Sequence, residues 1–98
     1  MGSNPRKPTR HLRVTQQVLD TVERRPRDER LAFRSTVEAL LRDPLDRDLG
    51  VRPVTAVGRP RVFSVPIQDN EELYGVLTFQ LYRDHPVVHL FWVTFFGA

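Results

Sequence analysis

Apolar residues follow two different spacings along the chain, and these spacings divide it into two halves. Downstream of position 60 they tend to recur at every second position, which predicts strands over 61–67, 74–83 and 87–95. Upstream, helical spacing predicts two helices, over 15–25 and 28–42, preceded by a short strand at 11–14. This order predicts an α+β fold, with a helical hairpin packed on one face of a small, mostly antiparallel, twisted sheet.

Capping residues and prolines set the predicted ends of the helices. Thr15 is a suitable N-cap for the first helix, and Pro26 cannot continue it. Asp28 is predicted to cap the second helix, which ends before Pro44. The side chains expected to face the sheet from the two helices are Val18, Leu19, Val22, Phe33, Val37, Leu40 and Leu41.

The last two strands are expected to form a hairpin with two different faces. A two-residue turn at Asp84-His85 would place Gln80 opposite His89. The core face would then carry Leu77, Phe79, Leu81, Val88, Leu90 and Trp92. The opposite face would carry Tyr74, Thr78, Gln80, Tyr82, His89 and Phe91. Such a face can stack bases and contact phosphate, and it equally fits a solvated sheet surface with one ordinary histidine.

The remaining segments have no periodic pattern. Residues 1–10 are polar and basic and are predicted to be a flexible arm, leaving 11–98 as a single domain. Residues 45–60 contain Gly50, Pro53, Gly58 and Pro60 and indicate a long connection, with a short extended piece around 51–54. Pro66 favours an edge position for the strand over 61–67.

Arginine dominates the charge of the chain. Fourteen arginines and one lysine oppose 12 acidic residues, which gives a net charge of +3 and a pI of about 10.2. Guanidinium groups match phosphate oxygens and stack on bases, so the composition favours a polyanionic partner. A GC-rich genome would also enrich arginine over lysine, and both interpretations stay open.

Several kinds of chemistry are disfavoured by the composition. The absence of cysteine excludes disulfides, thiolate zinc sites and thiol nucleophiles. The three histidines lack metal-ligand spacing, and no glycine-rich phosphate loop is present, so neither a metal nor a small-molecule cofactor is expected. No apolar run reaches the roughly 20 residues of a membrane span, and the cytoplasm is the default location.

Taken in order, the predicted elements resemble the RelE/ParE toxin superfamily of toxin–antitoxin modules over residues 11–97. The stretches that carry the resemblance are HLRVTQQVLDTVERRP, DERLAFRSTVEALLRDPLDRD, RVFSVPI, YGVLTFQLYRD and VVHLFWVTFFG. The resemblance implies one of two activities, metal-independent cleavage of mRNA at the ribosome or inhibition of DNA gyrase. It also implies neutralisation by an antitoxin, expected to be acidic and encoded by an adjacent gene.

Metal-independent RNA cleavage needs a base for the 2′-hydroxyl proton and cations for the phosphorane charge. His89 is the candidate for proton transfer, Tyr82 for orienting or stacking the substrate, and Arg61 for neutralising phosphate, and these three are the candidate catalytic residues. The candidate nucleic-acid-binding residues are Arg59, Arg83, Gln80 and Tyr74.

Two positions depart from the pattern of RelE-like nucleases. Those proteins often open the third strand with a Tyr-Arg pair, where this chain has Tyr74-Gly75. They also often carry a basic or hydroxyl-bearing tail, where this chain reads FFGA. A non-catalytic binding module with the toxin fold, or a ParE-like gyrase inhibitor, is therefore the alternative. Phe91, Phe95 and Phe96 predict an apolar surface for a protein partner.

Overall fold

Two helices lie against one face of a five-stranded sheet in the computed structural model, which describes residues 10–54 and 61–97. The elements are β1 (His11–Val14), α1 (Gln16–Glu23), α2 (Arg27–Arg42), a 3₁₀ turn (Arg47–Leu49), β2 (Arg52–Pro53), β3 (Val62–Asp69), β4 (Glu72–Leu81) and β5 (Val87–Phe95). The strand order is β1-β5-β4-β3-β2, and only the β1–β5 pair is parallel. The predicted α+β fold is confirmed. Most of the predicted arm lies outside the described residues.

The core lies between the helices and one sheet face. Phe79 is fully buried in β4, and its ring stacks on that of Phe63 with centroids 5.6 Å apart. Of the core residues predicted from the sequence, the buried ones are Val18, Val37, Leu40, Leu77, Phe79, Leu81, Val88 and Leu90. Val22, Phe33 and Leu41 pack against this cluster from its margin. Leu19 was expected to face the sheet, but it is 51% exposed on α1, so that prediction is wrong.

The helix starts differ in how far they follow the sequence prediction. Thr15 caps α1 as expected, and its hydroxyl accepts a hydrogen bond from the Val18 amide. The predicted cap of α2 is wrong, because that helix begins at Arg27 with Pro26 at the N-cap position. Pro26 has a fixed φ and provides no side-chain acceptor. Asp28 instead lies in the first turn, where its carboxylate stabilises the positive end of the helix dipole.

The β4–β5 hairpin has the predicted register but a wider turn. Gln80 lies opposite His89, as expected. β4 ends at Leu81 and β5 begins at Val87, so five residues rather than two separate the strands. β2 pairs only with the start of β3, which leaves Pro66 on an otherwise unpaired edge, where its missing N–H is tolerated.

A β-bulge in β5 overturns the predicted position of Trp92. Leu90 pairs with Phe79 and Trp92 pairs with Thr78, so Phe91 is an extra residue on β5. Simple alternation placed Trp92 in the core, but beyond the bulge the alternation is reversed. Val93 becomes the buried residue, and Trp92 is 52% exposed.

Glycine is required at position 75 because β5 passes very close to β4 there. A Cβ atom on Gly75 would lie against the carbonyl oxygen of Thr94 and 2.9 Å from the Cα of Phe95, and both are backbone atoms. The Tyr-Arg pair of RelE-like nucleases therefore has no room for its arginine at this position. We expect Gly75→Ala to lower the free energy of unfolding by about 1–3 kcal/mol, because the strands must move apart.

Gly97→Ala is the matched control for this substitution. A Cβ atom there has no neighbour within 4 Å, and only the positive φ of +92° opposes it. Urea denaturation followed by circular dichroism compares the two variants. Equal midpoints for Gly75→Ala and the wild type would contradict the close approach of the two strands.

Candidate nucleic-acid interface

The sheet face turned away from the helices, called the open face here, combines aromatic, polar and cationic side chains. Directly paired residues of neighbouring strands share a face, so the pairing assigns its members. Arg13 pairs with His89, and Arg52 pairs with Ser64, which in turn pairs with Thr78. The aromatic, polar and cationic residues of the open face include Arg13, Arg52, Ser64, Thr78, Gln80, Tyr82, His89, Phe91 and Trp92, and the same pairing adds apolar side chains such as Val62 opposite Gln80.

A hydrogen-bonded pair, Tyr82 and His89, lies at the hairpin end of the open face. The Tyr82 hydroxyl is 2.9 Å from Nδ1 of His89, and the two rings stack with centroids 6.2 Å apart. The Phe91 ring lies 6.1 Å away on the other side of the imidazole. His89 is therefore held in one orientation by a hydrogen bond and two rings.

The surroundings of His89 favour its neutral form. Burial lowers its pKa below the ordinary value for histidine, and the positive charge of Arg13 lowers it further. A neutral imidazole has one nitrogen lone pair that can accept a proton near neutral pH. When Nδ1–H donates to the Tyr82 oxygen, that lone pair is on Nε2, so the pair can present a base to a ligand on the open face.

This pKa shift predicts a pH dependence of stability. The unfolded chain binds a proton at His89 near pH 6.5, while the folded chain does so only at lower pH. The free energy of unfolding is therefore at its full value above about pH 6.5 and falls as the pH drops below it. His89→Gln should reduce this loss, as measured by urea midpoints at pH 7.5 and 5.5. An unchanged loss in the variant would contradict the assignment.

A cavity of about 580 Å³ lies at the same end of the sheet, between the β4–β5 turn and the C-terminus of α2. Four arginines and two aspartates contribute to its lining, an excess of two positive charges. The arginines are Arg10, Arg42, Arg61 and Arg83, and the aspartates are Asp43 and Asp84. Tyr82 also lines this cavity, so one residue connects it to His89. His89 itself does not line the cavity, whose guanidinium groups suit a phosphate group next to Tyr82.

Carboxylates are separated from the open face. The 12 acidic residues belong to the two helices, to the connection after α2, and to the ends of the β3–β4 and β4–β5 hairpins. None of the residues that define the open face is acidic, while Arg13 and Arg52 provide cations at opposite edges of the sheet. A polyanion would therefore meet attraction across this face despite the modest net charge of the chain.

Five of the seven predicted site residues lie in two places, on the open face and in the lining of the cavity. His89, Tyr82 and Gln80 lie together on the open face, as expected. Arg83 is exposed in the turn and lines the cavity with Arg61. Arg61 was predicted to begin the strand over 61–67, but it precedes β3 with a φ of +64°, so strand alternation does not extend to it.

Two other predicted residues are not part of this cluster. Arg59 lies outside the described residues. Tyr74 was expected beside Gln80 and Tyr82, but it packs against the helix-covered core at a second irregularity in the β3–β4 pairing. Burial raises the pKa of its phenol, and the nearby carboxylate of Asp28 on α2 raises it further. Eight residues of extended chain, about 26 Å, separate Tyr74 from Tyr82.

Sequence reasoning missed five cationic or aromatic residues of the site. They are Arg10, Arg13, Arg42, Arg52 and Trp92. Arg13 and Arg52 lie on the open face because of strand pairing, which the apolar pattern around them does not predict. Trp92 lies there because of the bulge in β5. Among the described residues, no three His, Asp or Glu side chains gather in a way that would hold a metal ion. No described helix is long and apolar enough to cross a membrane.

Comparison with known proteins identifies the fold. The chain is similar to a chain in the crystal structure of an archaeal RelE–RelB complex from Pyrococcus horikoshii OT3, with a TM-score of 0.73. The match covers 91% of this chain and 97% of the other at 14% sequence identity. No family model and no curated protein sequence matches the chain. The fold is therefore RelE-like, as the resemblance in the sequence implied.

Proposed function

We propose that this chain is the toxin of a toxin–antitoxin pair and that it cleaves mRNA at the ribosome without a metal ion. The observation that carries the proposal is the Tyr82–His89 pair, which lies beside an arginine-lined cavity on a RelE-like fold. The pair provides a base, and the cavity provides cations for phosphate. Its site of action would be the cytoplasm, where ribosomes translate mRNA.

In the proposed reaction, Nε2 of His89 takes the proton of a ribose 2′-hydroxyl. The 2′-oxygen attacks the adjacent phosphorus, the bond to the 5′-oxygen breaks, and that oxygen takes a proton from water, whose hydroxide then accepts the proton held by His89. The products are a 2′,3′-cyclic phosphate and a 5′-hydroxyl end. Tyr82 is a positioning residue, because its oxygen holds Nδ1–H and stabilises the imidazolium that forms. Arg61 and Arg83 neutralise the charge that grows on the phosphorane.

The antitoxin is expected to bind the exposed apolar residues of the helical side. Leu12 of β1, Leu19 of α1 and Leu31 of α2 are each close to half exposed. Of the three phenylalanines predicted to form a partner surface, Phe96 is half exposed and Phe91 is half-buried beside His89. Phe95 is also half-buried, and the guanidinium of Arg25 covers its ring at 5.3 Å.

Expression of the chain with and without its genetic neighbour tests the proposed pairing. We expect the chain alone to arrest growth, and a short acidic protein encoded by an adjacent gene to restore growth and to co-purify with it. Leu19→Glu on α1 should weaken co-purification, because a charge would face the apolar antitoxin segment. Leu73→Glu, at a similarly exposed position in β4, is the control. Normal growth with the chain alone would contradict the proposal.

A second candidate function is binding to a protein target without catalysis, as in a ParE-like gyrase inhibitor. The observation that favours it is Gly75, where the strand approach excludes the arginine of the RelE-like Tyr-Arg pair. Under this alternative the chain would arrest growth with intact mRNA. Relaxed plasmid DNA in the arrested cells would then indicate gyrase as the target.

A further inference from the structure

The bulge in β5 places two large aromatic residues next to each other on the open face. Phe91 and Trp92 are consecutive, yet both belong to this face, because the extra residue interrupts the alternation. The indole N–H of Trp92 donates to the Thr94 hydroxyl at 3.2 Å, while 52% of the residue is exposed. Tyr82, His89 and Phe91 form a row of neighbouring rings along the open face, and Trp92 follows Phe91 on the same face.

Contacts from α1 and its cap hold the bulge in place. The hydroxyl of Thr15 donates to the carbonyl of Phe91 at 3.1 Å. The side-chain amide of Gln17 donates to the carbonyl of Val93 at 3.0 Å and accepts from its N–H at 3.1 Å. β1 pairs with β5 only as far as Leu90. Beyond Leu90, the side chains of Thr15 and Gln17 bind the backbone of β5 where a neighbouring strand would otherwise do so. These contacts fix the bulge, and the bulge in turn holds Trp92 in its exposed position.

The charges around the row indicate what it would bind. Arg13 and Arg52 lie on strands at opposite edges of the open face, and the arginine-lined cavity lies at its hairpin end. No carboxylate belongs to the residues that define this face. An apolar protein segment would gain little from these cations, whereas a nucleic acid strand needs both cations for phosphate and flat apolar surfaces for bases.

We propose that Trp92 and Phe91 form a stacking platform for unpaired bases of single-stranded RNA. This inference rests on the proposed function and extends it, because it names the side chains that would hold the unpaired bases. Base faces are accessible only where the strand is unpaired, so duplex RNA cannot use the platform. A base on Trp92 would hold the strand while a neighbouring phosphate lies near His89.

The fluorescence of the protein provides a direct test, because Trp92 is its one tryptophan. The chain of residues 1–98 with His89→Gln is titrated with an end-labelled eight-nucleotide oligoadenylate and with a blunt RNA duplex of equal length. We expect the single strand to quench the Trp92 emission and to bind about tenfold more tightly than the duplex. Trp92→Leu should weaken single-strand binding about tenfold, and Trp92→Phe should restore most of it. Leu73→Ala, at a similarly exposed apolar residue, is the matched control.

The outcomes separate this inference from the proposed function. Single-strand binding without a change in Trp92 emission, and with equal affinity in Trp92→Leu, overturns the platform and leaves the RNA-directed function standing. Equal affinity for duplex and single strand also overturns the platform alone. Binding of neither RNA overturns both proposals. A concentration-dependent blue shift of the Trp92 emission without RNA overturns the platform in favour of a second copy of the chain.

Discussion

Phe79→Ala is expected to lower the free energy of unfolding by about 3–5 kcal/mol. Phe79 is fully buried in β4, and the substitution removes its ring from the core and from its stack on Phe63. A chain of 98 residues has a total stability of about 5–15 kcal/mol, so the variant should be close to unfolding at 37 °C. Urea denaturation measured by circular dichroism gives the midpoint.

Phe96→Ala is the control for this experiment. Phe96 is 50% exposed at the end of the described chain, so its loss should change the midpoint only slightly. If Phe79→Ala and Phe96→Ala were equally mild, the assignment of the sheet faces would be wrong.

His89→Gln is expected to reduce the rate of mRNA cleavage on ribosomes by about a hundredfold or more. Glutamine keeps a polar side chain of similar length but cannot take the 2′-hydroxyl proton. Tyr82→Phe removes only the hydrogen bond to Nδ1, so it should cost about fivefold. It should also move the acidic limb of the pH–rate profile, which a purely structural residue would not do. Single-turnover rates measured across pH 5–8 provide both results.

His11→Gln makes the same replacement at an exposed position of β1 and should keep the wild-type rate. If the wild type cleaves RNA and His89→Gln cleaves it at the same rate, the imidazole is not the group that transfers the proton. The arginines of the cavity would then be the leading catalytic candidates.

Much of the fold follows from local sequence patterns. Helical spacing identified the two helices, and alternation identified the three long strands, because each element buries one apolar face. The turn length was wrong, yet Gln80 still faces His89, since the last pair of the hairpin, Leu81 with Val88, is centred on Asp84 and His85 as predicted. Tyr82 and His89 were therefore correctly placed on one face from the sequence alone.

The features that were missed depend on contacts between distant segments. Trp92 was assigned to the core because alternation has no signal for an extra residue. The bulge is held by Thr15 and Gln17, which lie more than 70 positions away in the chain. Arg13 and Arg52 join the open face only through the pairing of β1 and β2. Tyr74 does not lie on that face, although it was predicted there, because of a second irregularity in the β3–β4 pairing.

Mapping the 5′ ends of cellular mRNA after induction of the chain alone tests the central claim most directly. The claim predicts growth arrest with new 5′-hydroxyl ends inside translated reading frames within minutes of induction. The same induction of His89→Gln should give few such ends, with the protein present in equal amount. Growth arrest with intact mRNA in the wild type would contradict RNA cleavage by the Tyr82–His89 pair.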